Sequence, residues 1–354
     1  MTKGVSTCAE IASQPAVWEK TLQKMVVQRD GLVSSLAGLK NRPWIVTGCG
    51  STYYLSLHAA SILRSIGFNA IAFPASELVF FPQKHLPTGF VLLVISRSGT
   101  TTETLWAMDA YRRFMPEDGK IICITCVPNT PMVANSDIVF LAPDAQEKSI
   151  AQTRSFSSMA LMVQVLATYL AEKKNLSTRM KNIPKVLSLS LSRYQTLLEE
   201  LGNNLGFDRF FFLGAGPFYG IANECMLKAK EMSCTWSEAY HTLEFRHGPM
   251  SVIASSALVI GLISDSAAKE EIQVLREMKE KGAHTLAICE QRGNLDWEGV
   301  DNVIEVSSGL SDWERPVVYL PFIHWIAYFR SIAKGLDPDF PLNLTPVVTL
   351  NERA

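Results

Sequence analysis

Two distant segments of the chain carry the same short pattern, in which four residues suited to a β-strand are followed by Gly-x-Gly. Trp44–Gly50 reads WIVTGCG, and Phe210–Gly216 reads FFFLGAG. When the two copies are aligned and the offset is changed by two residues, Ile95–Ser98 also aligns with Ile263–Ser266. Internal repetition of this kind predicts that one structural domain occurs twice in the chain.

Short strand-like runs alternate with helical stretches in both halves, which is typical of parallel βαβ units. The predicted strands are Trp44–Thr47, Ala70–Phe73, Val91–Ile95, Ile121–Thr125 and Ile138–Leu141 in the first copy, and Arg209–Leu213, Leu258–Ile263, Thr285–Cys289 and Val303–Val306 in the second. The predicted helices are Tyr53–Ile66, Thr101–Phe114, Met159–Lys173 and Val186–Leu201. We therefore expect an α/β protein whose two copies are joined by helices.

The composition limits the partners that the chain can have. Hydrophobic residues make up 47% and charged residues 19%, which is enough for buried cores, and the net charge of −1 gives no general attraction for nucleic acid or anionic lipid. The N-terminus resembles neither a secretory signal nor a transit peptide, and the longest apolar stretch is shorter than a membrane span. We expect a soluble, cytoplasmic protein with no nucleic-acid or membrane partner.

The cysteines and histidines predict neither a metal site nor a cofactor. Seven scattered cysteines provide no disulfide framework. Cys123 and Cys126 have CxxC spacing, but they lie in an apolar strand-like run, so we interpret them as buried thiols on opposite faces. No metal-ligand spacing joins the histidines that we interpret as packing or surface residues, His58, His85, His241, His284 and His324.

The apolar run Val91–Ile95 ends in a row of hydroxyl side chains around one glycine, Ser96–Thr102, before a helical stretch begins. At such a position unpaired backbone N–H groups, the helix dipole and hydroxyls meet. Gly99 lets the backbone come close to a ligand, and Arg97 supplies a fixed charge. An ordinary N-cap and turn needs only one or two such residues, so the pattern favours a phosphate site.

The loop Gly48–Thr52 also joins a predicted strand to a predicted helix. Tyr53 stands where a dinucleotide fingerprint has its third glycine, no acidic residue ends the following strand, and a Walker lysine is absent. Two hydroxyl-bearing loops on adjacent strand ends therefore fit a monophosphate better than a dinucleotide.

Five motifs occur in one order along the chain: Gly48–Thr52, Ala75–Glu77, Ser96–Thr101, Lys228–Glu231 and Phe245–Pro249. With the N-terminal element Glu10-Ile-x-x-Gln14-Pro15, they resemble the sugar isomerase (SIS) family. The similarity is to the isomerase half of glucosamine-6-phosphate synthase and to amino-sugar-phosphate deaminase/isomerases with two SIS domains. It implies two tandem SIS domains, each a flavodoxin-like three-layer α/β/α sandwich with a mostly parallel five-stranded sheet.

On this basis we divide the chain into five parts. Residues 1–40 form an N-terminal helical segment, 41–175 the first SIS domain, 176–205 a helical linker, 206–340 the second SIS domain and 341–354 a C-terminal tail. The phosphate loops belong to the first domain and the catalytic glutamate and histidine to the second.

The resemblance also assigns catalytic roles. Glu231 matches the carboxylate that shuttles a proton between adjacent carbons of the sugar, and Lys228, one turn earlier on the same helix face, matches the lysine that steadies negative charge on the intermediate. His247 matches the histidine that helps to open the sugar ring, which in the family reaches the site from the neighbouring subunit. A homodimer with a shared active site is therefore implied.

The remaining matched positions are binding residues. Those that match phosphate contacts are Gly50, Ser51, Thr52, Ser96, Arg97, Ser98 and Thr101, and those that match sugar contacts are Gln152 and Thr153.

Two departures from the family pattern narrow the expected activity. The chain starts without an N-terminal cysteine and has no room for a glutaminase domain, so glutamine-dependent synthesis is not expected. The synthase has a lysine in its C-terminal tail that forms a Schiff base, whereas this chain has Pro346 at that place. Proline has no amine, so the imine route through this position is closed, although free ammonia or water can serve instead.

The expected function is that of an amino-sugar-6-phosphate deaminase/isomerase acting on a hexosamine 6-phosphate through a cis-enediol or enolamine intermediate. Three alternatives remain open: a ketose/aldose isomerase of a 6-phospho sugar without nitrogen, a fructosyl-amino-acid 6-phosphate lyase, and a non-catalytic regulator that binds a sugar phosphate. Arg97 stands where the synthase has glutamine and resembles the ketose/aldose isomerase branch.

Overall fold

The computed structural model describes residues 3–81, 89–115, 119–171 and 176–345. The helices are α1 (Val5–Ala12), α2 (Gln14–Val27), α3 (Arg29–Leu36), α4 (Ser51–Ser65), α5 (Ala75–Phe80), α6 (Thr102–Phe114), α7 (Pro131–Ala134), α8 (Arg154–Leu170), α9 (Thr178–Asn203), α10 (Pro217–Ser233), α11 (Ala268–Glu280) and α12 (Leu320–Ala333). The strands are β1 (Trp44–Gly48), β2 (Ala70–Pro74), β3 (Val91–Ile95), β4 (Lys120–Thr125), β5 (Ile138–Leu141), β6 (Arg209–Gly214), β7 (Trp236–Tyr240), β8 (Ala257–Leu262), β9 (His284–Cys289) and β10 (Asn302–Glu305).

The chain forms two compact units, each with its own sheet. Of the described residues, the first-sheet unit comprises those of Ala16–Glu147 and Arg154–Ser177, together with Thr345. The second-sheet unit comprises those of Met1–Pro15, Lys148–Thr153 and Thr178–Leu344. The N-terminal helix α1 and the short segment Lys148–Thr153 thus pack with the second sheet.

The first sheet has the strand order β2-β1-β3-β4-β5, and all its pairings are parallel. Every residue of β3 is fully buried. Since successive side chains of a strand point to opposite faces, both faces of the sheet are covered, as the continuous apolar sequence of a central parallel strand requires.

The second sheet repeats this order as β7-β6-β8-β9-β10, again with parallel pairings throughout. The turn after its first strand repeats as well, because Gly50 and Gly216 have the same unusual backbone conformation (φ 55°, ψ −124° and φ 53°, ψ −126°). The predicted fold class, an α/β protein with two parallel five-stranded sheets, is confirmed.

Most predicted strands and helices begin and end within a few residues of the observed ones, with two notable differences. β7 was not predicted; it lies at the edge of the second sheet and leaves Trp236 68% exposed. The helix predicted at Val186 begins at Thr178 and contains Pro184. The end of the predicted helix Met159–Lys173 and the residue His85 lie outside the described residues.

Cys123 and Cys126 are buried and free, in agreement with the buried-thiol interpretation. Burial raises the pKa of Cys123 to about 11 and raises that of Cys126 as well, so both thiols keep their protons. Among the described residues, no helix combines the length and the hydrophobicity needed to span a membrane.

Candidate active site

The predicted phosphate loops meet at the switch point of the first sheet. β1 and β3 are neighbours, with Thr47 paired to Val94, although they are not consecutive in the chain. The chain leaves both strands at their carboxyl ends and enters α4 and α6, so two helix N-termini begin there. In open parallel sheets this is the place where ligands bind, and the first-turn N–H groups of a helix favour an anion.

The hydroxyl side chains of the loop after β3 shape its backbone. The buried Ser96 hydroxyl accepts a hydrogen bond from the Gly99 N–H at 3.1 Å and lies 3.3 Å from the Thr101 hydroxyl. The Ser98 hydroxyl accepts from the Thr100 N–H at 3.2 Å. Thr101 is the N-cap residue of α6, yet its side chain makes no capping hydrogen bond. The loop is therefore held in place without a side-chain cap on the helix N-terminus.

Gly99 is required by the geometry of this loop. Its φ is +66°, a conformation that residues with a side chain rarely adopt, and a Cβ atom there would collide with Thr130. The absence of a side chain at Gly99 consequently lets the loop backbone pack closely against Thr130.

The loop after β1 is shaped by Thr52. The Thr52 hydroxyl accepts from the Cys49 N–H and donates to the Cys49 carbonyl, both at 2.9 Å. A Cβ atom on Gly48 would lie 2.6 Å from the Thr52 carbonyl oxygen, so glycine is needed there as well. Gly50, Ser51 and Thr52 lie at the start of α4 as predicted, but the Thr52 hydroxyl already serves the turn.

Arg97 is paired with a carboxylate that the sequence did not identify. Its guanidinium lies 3.9 Å from Glu147, whose side chain is fully buried and also accepts a hydrogen bond from the Ser155 hydroxyl. Burial of an unpaired carboxylate is costly, and this pair holds the Arg97 side chain against the loop.

In the second-sheet unit, α10 carries a charged cluster on one face. Lys228 is 0% exposed and lies between two carboxylates of its own helix, Glu224 one turn before it at 3.3 Å and Glu231 one turn after it in a short hydrogen bond. Desolvation opposes the charge of Lys228, but the two carboxylates outweigh it and raise its pKa. Lys228 is therefore a fixed ammonium group in contact with Glu231.

Glu231 lines a cavity of about 230 Å³. The lining continues with Cys234 and with the C-terminal segment from Gly335 to Leu342, and it includes Lys3, whose ammonium group donates to the Gly335 carbonyl. The carboxylate thus contacts the buried Lys228 on one side and lines an open space on the other. Pro346, where the synthase has its lysine, lies outside the described residues.

Two members of this cluster, Glu224 and His324, were not predicted from the sequence to contribute to the site. Glu224 stands four residues before Lys228, a spacing that could have revealed it. His324 of α12 was interpreted as a packing residue, and it is fully buried. Burial and the nearby Lys228 ammonium lower its pKa to about 3, so it stays neutral and adds no charge to the cluster.

His247 lies in the loop after β7, between the short helical turns Glu244–Arg246 and Pro249–Val252. Its side chain is exposed, and within the described part of the chain it has no hydrogen-bond or ion-pair partner. The loop is fixed beside it by Arg246, which makes two hydrogen bonds of 2.8 Å to Glu277. The described contacts do not join His247 to Glu231 within this chain.

Gln152 and Thr153 lie in the segment Lys148–Thr153, which belongs to the second-sheet unit, whereas the predicted phosphate loops belong to the first-sheet unit. The preceding residue, Ala151, belongs to a small core cluster that also contains Met232, the neighbour of Glu231. The predicted sugar contacts and the predicted catalytic carboxylate therefore flank one apolar cluster.

The switch point of the second sheet is occupied by the protein's own carboxylates. Asp312 accepts hydrogen bonds from the Asp265 N–H at 2.7 Å and the Ser266 N–H at 3.0 Å, and it also pairs with the buried Arg315. Glu271 accepts from the Ser264 N–H at 2.7 Å. The loop that corresponds to the phosphate loop therefore has its N–H groups bonded internally.

Comparisons with known proteins agree with this architecture. A glutamine–fructose-6-phosphate aminotransferase (isomerizing) of Sulfurisphaera tokodaii is 30% identical over 346 residues, which are 96% of this chain and 56% of that protein. This chain thus spans a little over half the length of that relative. The crystal structure of a glucosamine-6-phosphate deaminase from Thermotoga maritima has a TM-score of 0.81 and 27% identity, covering 98% of this chain and 100% of that one.

The tagatose-6-phosphate ketose/aldose isomerase of Escherichia coli has the same fold, with a TM-score of 0.85, 24% identity and 99% coverage of both chains. The SIS domain family model matches residues 40–169 and 207–306, which contain the two parallel sheets described above. These matches include both phosphate loops and the helix that carries Glu231, and the chain accordingly belongs to the SIS domain family.

Proposed function

We propose that this protein is a sugar-phosphate isomerase and, more narrowly, an amino-sugar-6-phosphate deaminase/isomerase. The observation that carries the proposal is the pairing of Glu231 with the fully buried Lys228 at the edge of a cavity. A carboxylate held against a permanent ammonium group, with open space on its other side, is suited to move a proton on a bound molecule. The similarity to a glucosamine-6-phosphate deaminase supports the narrower assignment.

In this proposal the substrate's phosphate binds to the first-sheet unit. The N–H groups at the start of α4 and α6 and the hydroxyls of Ser51, Ser96, Ser98 and Thr101 contact its oxygens, and Arg97 neutralises part of its charge. The net charge of the protein is only −1, so this local arrangement supplies the affinity for a dianion.

Glu231 is proposed to be the acid/base. It removes a proton from one carbon of the open-chain sugar and returns it to the adjacent carbon, while the Lys228 ammonium stabilises the negative oxygen of the enediol or enolamine. Addition of water to the resulting C2 imine, followed by loss of ammonia, gives the keto sugar and completes the reaction of a hexosamine 6-phosphate. His247, an imidazole on an exposed loop, assists ring opening, and in a homodimer it acts on the neighbouring subunit's substrate.

The narrow proposal is tested with a panel of hexose and hexosamine 6-phosphates, monitored for both ammonia and keto sugar. We expect ammonia release from glucosamine or galactosamine 6-phosphate in step with the keto sugar. Arg97 favours a second candidate, a ketose/aldose isomerase of a 6-phospho sugar without nitrogen, and this activity would give keto sugar with no ammonia. A panel with neither product would leave the fructosyl-amino-acid 6-phosphate lyase and the regulator that binds a sugar phosphate.

The role of Glu231 is tested by the Glu231→Gln variant, which keeps the shape of the side chain but has no basic oxygen. We expect kcat to fall by about 100- to 10,000-fold, while a non-reactive sugar-phosphate analogue binds as before. The exposed Glu199 on α9 provides the matched control Glu199→Gln, which should be as active as the wild type. Wild-type turnover by Glu231→Gln would refute the assignment.

A further inference from the structure

Every second residue of the segment Lys148–Thr153 is buried, although the segment forms neither helix nor strand. Ser149, Ala151 and Thr153 are almost completely buried. Backbone N–H groups in such a segment cannot be satisfied by secondary structure, so they require partners from elsewhere in the protein. The conformation of the segment consequently depends on those partners.

Glu10 of α1 provides them. Its carboxylate is only 3% exposed, and one oxygen accepts hydrogen bonds from the Lys148 N–H at 2.6 Å and the Ser149 N–H at 3.4 Å. The other oxygen accepts from the Ser149 hydroxyl in a short hydrogen bond. One buried carboxylate thus ties the beginning of the segment to α1 through charge-assisted hydrogen bonds.

The helix that carries Glu10 is itself fixed at both ends. At its start, Asp339 accepts hydrogen bonds from the Thr7 N–H and the Thr7 hydroxyl, both at 2.7 Å. Near its end, Ile11 packs in the core cluster with Ala151 and Met232. Since Met232 follows Glu231 and Ala151 precedes Gln152, Glu10 lies on the helix that holds the backbones of both predicted site residues.

The side-chain oxygen of Gln152 indicates a function for this anchoring. This oxygen is buried, and within the described part of the chain it has no hydrogen-bond partner. A buried acceptor without a donor is unfavourable, and a hydroxyl of a bound molecule would satisfy it.

We infer that Glu10 is a positioning residue, which fixes the Lys148–Thr153 segment so that the Gln152 side-chain oxygen accepts a hydrogen bond from a sugar hydroxyl of the substrate. This inference rests on the proposed function and adds to it a residue that does not itself touch the substrate. The effect of Glu10 on catalysis is transmitted through Gln152.

The kinetic test uses Glu10→Ala, Gln152→Ala and the double variant. We expect Glu10→Ala to lower kcat/KM for the sugar phosphate by about 100-fold, because small displacements of a contact have effects of this size. Inhibition by inorganic phosphate should be unchanged, since the phosphate loops belong to the other unit. The kcat/KM of the double variant should equal that of the less active single variant. Additive losses, or an equal loss of phosphate affinity, would overturn the inference.

Thr7→Ala is the control for a purely structural role, because it removes the hydrogen bond of the Thr7 hydroxyl to Asp339 from the same helix without touching the segment. It should lower thermal stability as Glu10→Ala does, but leave kcat/KM within a few fold of the wild type. Glu10→Gln keeps an oxygen for the Lys148 N–H and should restore most of the activity. Equal losses of kcat/KM in Thr7→Ala and Glu10→Ala would mean that Glu10 only stabilises the fold.

Amide hydrogen exchange separates this inference from the proposed function. Glu10→Ala should accelerate exchange at Lys148 and Ser149, and Thr7→Ala should not. Unchanged exchange in Glu10→Ala would disprove the anchoring even in an active enzyme. A wild-type protein inactive on the whole sugar-phosphate panel would instead refute the proposed function and the role of Gln152 with it.

Discussion

Lys228 is a buried cation whose charge is maintained by two carboxylates of its own helix. Alone, a fully buried ammonium group would lose its proton, because desolvation disfavours the charged form. Glu224 and Glu231 reverse this effect and raise its pKa, while His324 stays neutral on the side of α12. Lys228 therefore keeps a constant positive charge in contact with Glu231. Glu224, one helical turn before Lys228, stabilises that charge.

This reasoning predicts a non-additive effect on stability. Lys228→Met removes the cation next to the buried Glu224 and should lower the free energy of unfolding by about 3–5 kcal/mol, as is usual when one partner of a buried pair is deleted. The double variant Lys228→Met/Glu224→Gln should regain a large part of this loss, since no buried charge is then left uncompensated.

Urea unfolding of the two single variants and the double variant measures this coupling. The exposed Lys230 lies on the same helix, and Lys230→Met should change the free energy of unfolding by less than about 0.5 kcal/mol. If the two single effects simply add, Glu224 and Lys228 do not stabilise each other.

At the scale of the elements, the two sheets differ in the loop that follows their switch-point strand. After β3, hydroxyls bond to loop N–H groups and Thr101 leaves the start of α6 without a side-chain cap. After β8, two carboxylates accept hydrogen bonds from the N–H groups of Ser264, Asp265 and Ser266. We propose the loop after β3 as the anion site, whereas the first N–H groups of the loop after β8 are bonded internally.

The internal bond to Glu271 predicts a particular pH dependence of stability. Burial, partly offset by the hydrogen bonds from Ser264, raises the pKa of Glu271 to about 7. Because the folded pKa is above the unfolded value, the folded state holds this proton more tightly. The resulting stability is fully present below about pH 4.5 and is lost as the pH rises through 7.

Glu271→Gln removes this titration. The free energy of unfolding of the wild type minus that of the variant should fall by about 3 kcal/mol between pH 4.5 and pH 8. The exposed Glu280 on the same helix gives the control, since Glu280→Gln should leave the pH profile of the wild type unchanged. A pH-independent difference for Glu271→Gln would mean that this carboxylate is ionised throughout the range.

At the scale of the whole molecule, the sequence predicted what depends on local pattern and missed what depends on packing. The continuous apolar runs of the central strands made β3 and β6 visible, and the Gly-x-Gly repeat predicted that the second sheet copies the first. β7 was missed because an edge strand with an exposed Trp236 and the polar residues Ser237 and Glu238 lacks such a run.

The candidate site follows the same rule. Glu231 and Lys228 were predicted as site residues from a motif that lies within one helical turn. Glu147, His324 and Glu10 were not assigned roles, because their partners are distant in sequence and meet them only in the folded chain. Glu10 and Ser149, for example, are 139 residues apart. Pairings of this kind leave no periodic signal in a single sequence.

The difference between the two loops predicts how many phosphate ions one chain binds. A chain with two similar sheets and two open loops would bind two, but the carboxylates of Asp312 and Glu271 already occupy the N–H groups of the second loop. We therefore expect calorimetric titration with inorganic phosphate to give one site per chain. Arg97→Gln should weaken that site by about 10-fold or more, because it removes a charged partner of the anion.

Asp312→Ala is the complementary variant. It frees the N–H groups of Asp265 and Ser266 next to Arg315, and it should create a second, weaker phosphate site while leaving the first unchanged. Exchange protection by phosphate in the wild type should accordingly appear in the loops after β1 and β3 and be absent from those after β6 and β8. Two sites per wild-type chain would show that a phosphate ion displaces Asp312 from these N–H groups. The internal hydrogen bonds of Asp312 would then not explain a difference in anion binding between the two sheets.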